Sequence, residues 1–184
     1  KSHLQNVTDW PHKLDPQEPR DGFAAPPDDL AVAIRSDLDN ETYQYEREAF
    51  FEDETAEVPL PFYGFDKYVA VTRHGFNTGG DHARHVRTTA PDAFAQRGRT
   101  NQFAHDYTCP QAIRTKVPEE QYSTSYIADR TCEFLESRRG NPTPFLLMVS
   151  FPDPHHPFTP PGKYWDMYKP EDMEIPSAYT ADDW

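Results

Sequence analysis

The sequence predicts an α/β fold, and two neighbouring segments of its C-terminal third carry that prediction. Apolar or small residues recur at the spacing of one helical face between Thr124 and Leu135, which predicts a helix over about residues 122–139. Gly140 follows where a left-handed residue ends many helices, and two prolines then prevent the helix from continuing. Residues 145–151 are apolar on both faces, which is typical of a strand buried inside a parallel sheet. A helix, a tight turn and a buried strand make an α/β unit.

The region before this unit is rich in proline and acidic residues. The chain holds 19 prolines in 184 residues, yet 14% of its residues are aromatic, which indicates a folded chain with many stiffened loops rather than a disordered one. Residues 68–73 alternate like a strand, residues 39–57 could include a short helix, and residues 74–87 have the composition of a loop. We therefore expect a loop-rich, Pro/acidic insertion at about residues 10–115 of a single domain.

The charge of the chain excludes several classes of partner. The formal net charge is −13, which argues against nucleic-acid binding and against adsorption to anionic membranes, because both depend on clustered Lys and Arg. No apolar stretch reaches the roughly 18–20 residues that a membrane span needs. The sequence begins without Met or a signal segment and stops in a polar stretch, so we expect an internal piece of a longer protein whose localisation is unknown.

Two histidines directly follow the predicted buried strand. His155 and His156 lie between prolines in the segment PDPHHPFTPP, residues 152–161. In parallel sheets the functional site lies beyond the carboxyl ends of the strands, so this segment is expected to face the chemistry. The alternative left open is that the two histidines only cap the strand and bind nearby carbonyl groups.

Three segments carry a family resemblance. They are Lys1-Ser-His3-Leu4 at the start, PFYGFD (61–66) with His74-Gly75 in the middle, and FLLMVSFPDPHHPFTPPGKYWDMY (145–168) near the end. In this order they resemble the type I, formylglycine-dependent sulfatases of the alkaline-phosphatase-like superfamily. The resemblance implies an alkaline-phosphatase-like sandwich with a central, mainly parallel sheet, present only in part. Residues 1–184 would then be the central part of a sulfatase catalytic domain.

The resemblance also implies roles for four residues. Lys1 would contact a sulfate oxygen, and His3 would assist the formylglycine hydroxyls or the expulsion of sulfate. His155, the first residue of the family's His-x-Pro triplet, would contact the sulfate and the leaving oxygen. His156 holds the variable middle position, where it would line the mouth of the substrate pocket or pack structurally. A donor imidazole at a leaving oxygen suits general acid catalysis, since histidine titrates near neutrality.

The resemblance further implies a calcium ion and a formylglycine nucleophile. The nucleophile arises in a Cys/Ser-x-Pro-x-Arg motif, which neither Cys109 nor Cys132 fits. We therefore expect the nucleophile upstream of Lys1 and the calcium ligands outside this fragment, with no metal ligand inside it. On its own, the fragment is expected to be inactive.

The expected partner is a small-molecule or carbohydrate sulfate ester. Within the superfamily, the alternative is a phosphodiester or phosphonate monoester hydrolase, because these substrates also present a tetrahedral oxyanion. A different class of alternative is a non-catalytic binding or structural module whose histidines are incidental. A third, minor alternative is a zinc site at His82 and His85 with His74, although no further ligand stands at a suitable spacing.

Overall fold

The computed structural model describes residues 44–176 and residue 179. Lys1 and His3 therefore lie outside the described residues. The described residues divide into two compact units, the first containing residues 44–73 and 78–85, the second containing residues 74–77 and the described residues from 86 onward. The α-helices are α1 (Gly80–Thr89), α2 (Pro91–Ala95) and α3 (Ser123–Ser137). Short 3-10 helices occupy Glu48–Glu52, Gly75–Asn77, Glu119–Gln121, Gly162–Tyr164 and Pro170–Asp172.

Aromatic packing organises the first unit. Phe51 and Phe62 are buried, and the ring of Phe62 lies 4.4 Å from that of Tyr68 between centroids. The Arg84 guanidinium lies 4.8 Å from the centre of the Phe51 ring. It donates hydrogen bonds to Phe51 O, in the 3-10 helix Glu48–Glu52, at 3.2 Å and to Ala56 O beyond this helix at 3.0 Å. This side chain therefore ties the short helix to α1.

Residues 68–73 do not form the predicted strand. Their hydrogen bonds go to the start of α1 instead of to another strand: Asp81 N donates to Ala70 O and Gly79 N to Thr72 O, both at 2.9 Å. The Asp81 carboxylate also accepts from Ala70 N at 2.8 Å. The prediction of a loop over residues 74–87 is also wrong, because α1 begins at Gly80. The hydrogen bonds to Ala70 and Thr72 help to fix the first turn of this helix.

The predicted helix over residues 122–139 is confirmed by α3, and Gly140 has the expected left-handed φ of 74°. The buried face, however, is rotated by one residue from the predicted one. Ser123, Tyr126 and Ile127 are buried, whereas Leu135 is 47% exposed. The aromatic ring of Tyr126 offers more apolar area than the small residues of the predicted face, so its burial decides the rotation.

The prediction of an interior strand over residues 145–151 is wrong for this structure. Leu146 is 81% exposed and Met148 52%, with Leu147 half-buried. No backbone hydrogen bond joins this run to any other described residue, and a strand exists only through such pairing. The run has no regular secondary structure, and most of its apolar side chains are exposed to solvent.

The described residues contain isolated β-bridges but no strand, so the central parallel sheet is not confirmed. The core of the second unit is formed by side chains from α3, the segment before it and neighbouring turns, among them Phe76, Ile113, Val117, Tyr122, Tyr126 and Ile127. No helix in the described part of the chain is both long and apolar enough to cross a bilayer.

Candidate functional site

Residues 152–161, here called the His-Pro loop, lie in the second unit and are fixed at their C-terminal half by backbone pairing. Phe158 N donates to Gln111 O at 2.8 Å, and Ile113 N donates to Phe158 O at 3.0 Å. Ala112 and Phe158 thereby form a parallel bridge. The loop is thus joined to a segment far away in sequence, directly after its two histidines.

The start of α3 anchors the other half of the loop. Tyr122 is 5% exposed, and its hydroxyl donates to Asp153 Oδ1 at 3.2 Å while lying 2.7 Å from Thr159 Oγ1. Because a carboxylate only accepts, the single tyrosine proton goes to Asp153, and the Thr159 hydroxyl then donates to the tyrosine oxygen. Thr124 donates to the second carboxylate oxygen of Asp153 at 3.0 Å. Both sides of the histidine pair are therefore tied to one helix end.

The electrostatics of Tyr122 favour this arrangement. Burial raises the pKa of the Tyr122 hydroxyl well above its ordinary value, and the nearby Asp153 carboxylate acts in the same direction. The hydrogen bond from Thr159 opposes these effects without cancelling them. The phenol therefore stays protonated and keeps its donor role across the neutral range.

His155 is exposed, but one edge of its ring is fixed. Its Nδ1 lies 2.6 Å from the carbonyl oxygen of His156. A carbonyl oxygen can only accept, so Nδ1 carries the hydrogen of this bond. The neutral ring then has a lone pair on Nε2, and the protonated ring has an Nε2–H that can donate to an oxyanion. The ring of His156, also exposed, lies 4.3 Å away at an angle of 51°.

A third imidazole completes the cluster. The ring of His74 is stacked on that of His155, with centroids 3.8 Å apart and planes within 2° of parallel. His74 precedes the 3-10 helix Gly75–Asn77, in which Gly75 has a φ of +55°. A Cβ on Gly75 would lie 2.9 Å from both Pro157 O and Thr159 Oγ1, so only glycine allows this approach to the His-Pro loop.

A polar contact lies just beyond the loop. Tyr164 donates to Glu119 Oε1 at 2.7 Å, and Lys163 Nζ is 3.3 Å from the other oxygen of the same carboxylate. The hydrogen bond from Tyr164 is the largest cause that lowers the pKa of Glu119, and Lys163 adds to it. The 3-10 helix Gly162–Tyr164 is thus held to the 3-10 helix that precedes α3.

The structure brings together two of the four residues that the sequence singles out. His155 and His156 are adjacent and share a cluster, whereas Lys1 and His3 lie outside the described residues, so their convergence with His155 stays a prediction. Sequence reasoning missed His74 as a neighbour of His155. The available signal was the His74-Gly75 pair, because a glycine after a histidine permits the close backbone approach seen here.

The described residues offer no site for a metal ion formed by three or more His, Cys, Asp or Glu side chains. His82, which the zinc hypothesis needs, is 3% exposed and its Nδ1 lies 2.9 Å from Thr78 Oγ1. This histidine therefore has a structural hydrogen-bonding role at the start of α1. Cys109 and Cys132 are both free and exposed.

Sequence comparisons show that parts of the chain are similar to proteins named as sulfatases and to one named for the alkaline phosphatase superfamily. It is 41% identical over 58 residues to an arylsulfatase of Clostridium perfringens, and 30% identical over 112 residues to an ulvan-active sulfatase of Formosa agariphila. It is also 34% identical over 62 residues to the multifunctional alkaline phosphatase superfamily protein PehA of Trinickia caryophylli. These matches cover 32%, 54% and 34% of this chain.

The matched part is a small share of each relative, namely 12%, 22% and 12% of its length. No family model matches the chain. No solved structure matches it either. The resemblance that the motifs predict is nonetheless confirmed by these relatives: over a limited part of their length, the chain is similar to sulfatases of the alkaline-phosphatase-like superfamily.

Proposed function

We propose that this chain is the central segment of a sulfatase, which converts a sulfate monoester into an alcohol and sulfate. The observation that carries the proposal is the sequence similarity to proteins named arylsulfatase and ulvan-active sulfatase. The geometry of the His-Pro loop supports it, because the loop presents an exposed imidazole whose Nδ1 lies 2.6 Å from the His156 carbonyl oxygen.

His155 acts in this proposal as the general acid. Its Nδ1 hydrogen is engaged by the His156 carbonyl, so Nε2 is the atom that exchanges a proton with the substrate. In the protonated ring, Nε2–H donates to the oxygen that leaves. As the nucleophile forms its new bond to sulfur, the bond from sulfur to the leaving oxygen breaks and its electron pair goes to that oxygen, which takes the proton and departs as a neutral alcohol. His156 lines the rim of the same site.

Lys1 and His3 complete the proposed site from outside the described residues. As the resemblance implies, Lys1 binds a sulfate oxygen and His3 assists the formylglycine hydroxyls or the expulsion of sulfate. Charge that develops on sulfuryl oxygens is stabilised best by fixed cations and donors. The proposal therefore requires these side chains to meet His155 in one cleft.

Calcium and formylglycine are proposed to come from other parts of the full-length protein. The described residues hold no suitable group of metal ligands, and neither cysteine stands in the nucleophile motif. When bound, calcium would polarise the sulfate group. The substrate would be a small-molecule or carbohydrate sulfate ester.

A second candidate function is hydrolysis of a phosphodiester or phosphonate monoester. The similarity to a multifunctional alkaline phosphatase superfamily protein supports this second candidate. Sulfate and phosphate esters share tetrahedral geometry, so a histidine cluster by itself suits both, and fold does not decide the chemistry.

Substrate comparison on the full-length protein that carries this chain tests the proposal. We expect the highest kcat/KM for 4-nitrophenyl sulfate, with lower values for a 4-nitrophenyl phosphodiester and a phenylphosphonate monoester. Activity should disappear with a chelator and return with calcium, and residues 1–184 alone should show no turnover. A preference for the phosphorus esters would support the second candidate, and no hydrolysis of any of them would support a non-catalytic module.

A further inference from the structure

We propose that His74 is a positioning residue that fixes the ring of His155 by stacking on it. The inference rests on the proposed function only for its consequence in catalysis, since the stack itself is a feature of the structure. The two rings lie 3.8 Å apart and within 2° of parallel. Both residues belong to the second unit, so the contact is internal to one compact body.

The backbone holds His74 in place for this role. Asn77 N donates to His74 O at 3.1 Å and closes the turn, while Arg97 Nε donates to Phe76 O at 2.9 Å. Gly75 seats the turn directly against Pro157 of the His-Pro loop. The turn and the His-Pro loop therefore lie directly against each other, and the stacked rings extend from these two backbone segments.

His74 acts through His155 and not on the substrate. Its Nε2 is buried and has no hydrogen-bond partner among the described residues, so this atom is shut off from an incoming ester. What His74 offers His155 is a flat surface. A ring confined by a neighbour in parallel contact has less freedom about χ2, and the Nδ1 bond to the His156 carbonyl fixes which way round the ring sits.

The test compares His74→Ala with His74→Phe in the full-length protein. Alanine removes the flat surface, whereas phenylalanine keeps it and replaces the buried nitrogen that lacks a partner with carbon. With an aryl sulfate, we expect His74→Ala to lower kcat about tenfold with KM within about twofold, since transition-state interactions are lost preferentially. His74→Phe should recover kcat to within about threefold of the unmodified protein. His105→Ala, a histidine of the same unit outside the stack, should change neither constant.

A second measurement does not depend on activity. In protein labelled with ¹⁵N at histidine, NMR should show the Nδ1–H tautomer for His155 in the unmodified protein and in His74→Phe. His74→Ala should instead show an average of both tautomers. If the unmodified protein hydrolyses no sulfate ester, the proposed function fails, and this measurement still decides the stacking inference. A kcat unaffected by His74→Ala in an active enzyme, no rescue by phenylalanine, or an unchanged tautomer in His74→Ala would overturn it.

Discussion

Tyr122 donates a hydrogen bond to Asp153 across 31 residues of sequence, at 3.2 Å. The donor is the residue directly before α3, and the acceptor stands two residues before His155. The same hydroxyl also meets Thr159 after the histidine pair. One buried phenol therefore holds both sides of the loop that presents the candidate catalytic residue.

Replacing Tyr122 with Phe tests this anchor. The change should lower the free energy of unfolding by about 1–3 kcal/mol, because the buried Thr159 hydroxyl loses its partner and the half-buried Asp153 carboxylate loses one of its donors. Denaturant unfolding of the full-length protein measures the effect. Tyr168→Phe is the matched control, since Tyr168 is 70% exposed, and it should stay within about 0.5 kcal/mol of the unmodified protein. Equal stability of the two variants would show that the anchor contributes nothing.

Gly75→Ala tests the approach between the His74 turn and the His-Pro loop. A left-handed φ costs an alanine about 1–2 kcal/mol, and the contact of its Cβ with Pro157 O adds about 1–3 kcal/mol of overpacking. Gly162→Ala is matched in backbone angle, with a φ of +52°, but its Cβ would meet nothing within 4 Å. We expect the melting temperature to fall further for Gly75→Ala than for Gly162→Ala. A similar fall in both would mean that the close approach has no energetic consequence.

The Glu119 carboxyl is expected to titrate below its ordinary pKa, with Tyr164 as the main cause. Tyr164→Phe should therefore raise the Glu119 pKa towards its ordinary value, as followed by NMR of the labelled carboxyl carbon. Because the folded pKa is the lower one, the contact stabilises the fold above the ordinary pKa of Glu119, and this contribution is lost as the pH falls through the folded pKa. An unchanged Glu119 pKa in Tyr164→Phe would show that the hydrogen bond from Tyr164 does not lower it.

The exposed apolar run at residues 145–151 makes a prediction that separates the structure from the sequence-based expectation. Leu146 is 81% exposed, so Leu146→Ala should change the free energy of unfolding by less than about 0.5 kcal/mol. A leucine inside an interior strand would instead cost about 2–5 kcal/mol when replaced by alanine. Denaturant unfolding of the full-length protein distinguishes the two values. The larger loss would restore the predicted strand.

The contrast between α3 and residues 145–151 shows which features the sequence could predict. A helix satisfies its own backbone hydrogen bonds, so local periodicity and Gly140 were enough to place α3 within two residues of its observed ends. A strand needs a partner elsewhere in the chain, and an apolar run contains no information about whether that partner is present. The helix α1 was missed because its composition resembles a loop, while its first turn is fixed by contacts with Ala70.

The candidate site was predictable in part for a similar reason. His155 and His156 were found because prolines and a family motif surround them in sequence. The stack of His74 on His155 depends on a glycine turn that meets a loop about 80 residues away; Gly75 indicates that the turn can approach another backbone closely, but not which backbone it approaches. The anchors Tyr122 and Asp153 are also joined only by the fold.

The turnover number of His155→Ala with an aryl sulfate tests the central claim most directly. In the full-length protein, we expect kcat to fall by about 10²–10⁴-fold, because the general acid is lost, with KM changed much less. His156→Ala, the matched neighbour at the rim, should change mainly KM. For a phenyl sulfate with a better leaving group, His155→Ala should lower kcat by a smaller factor, because the leaving oxygen needs less protonation. A His155→Ala variant that keeps the kcat of the unmodified protein would contradict the account.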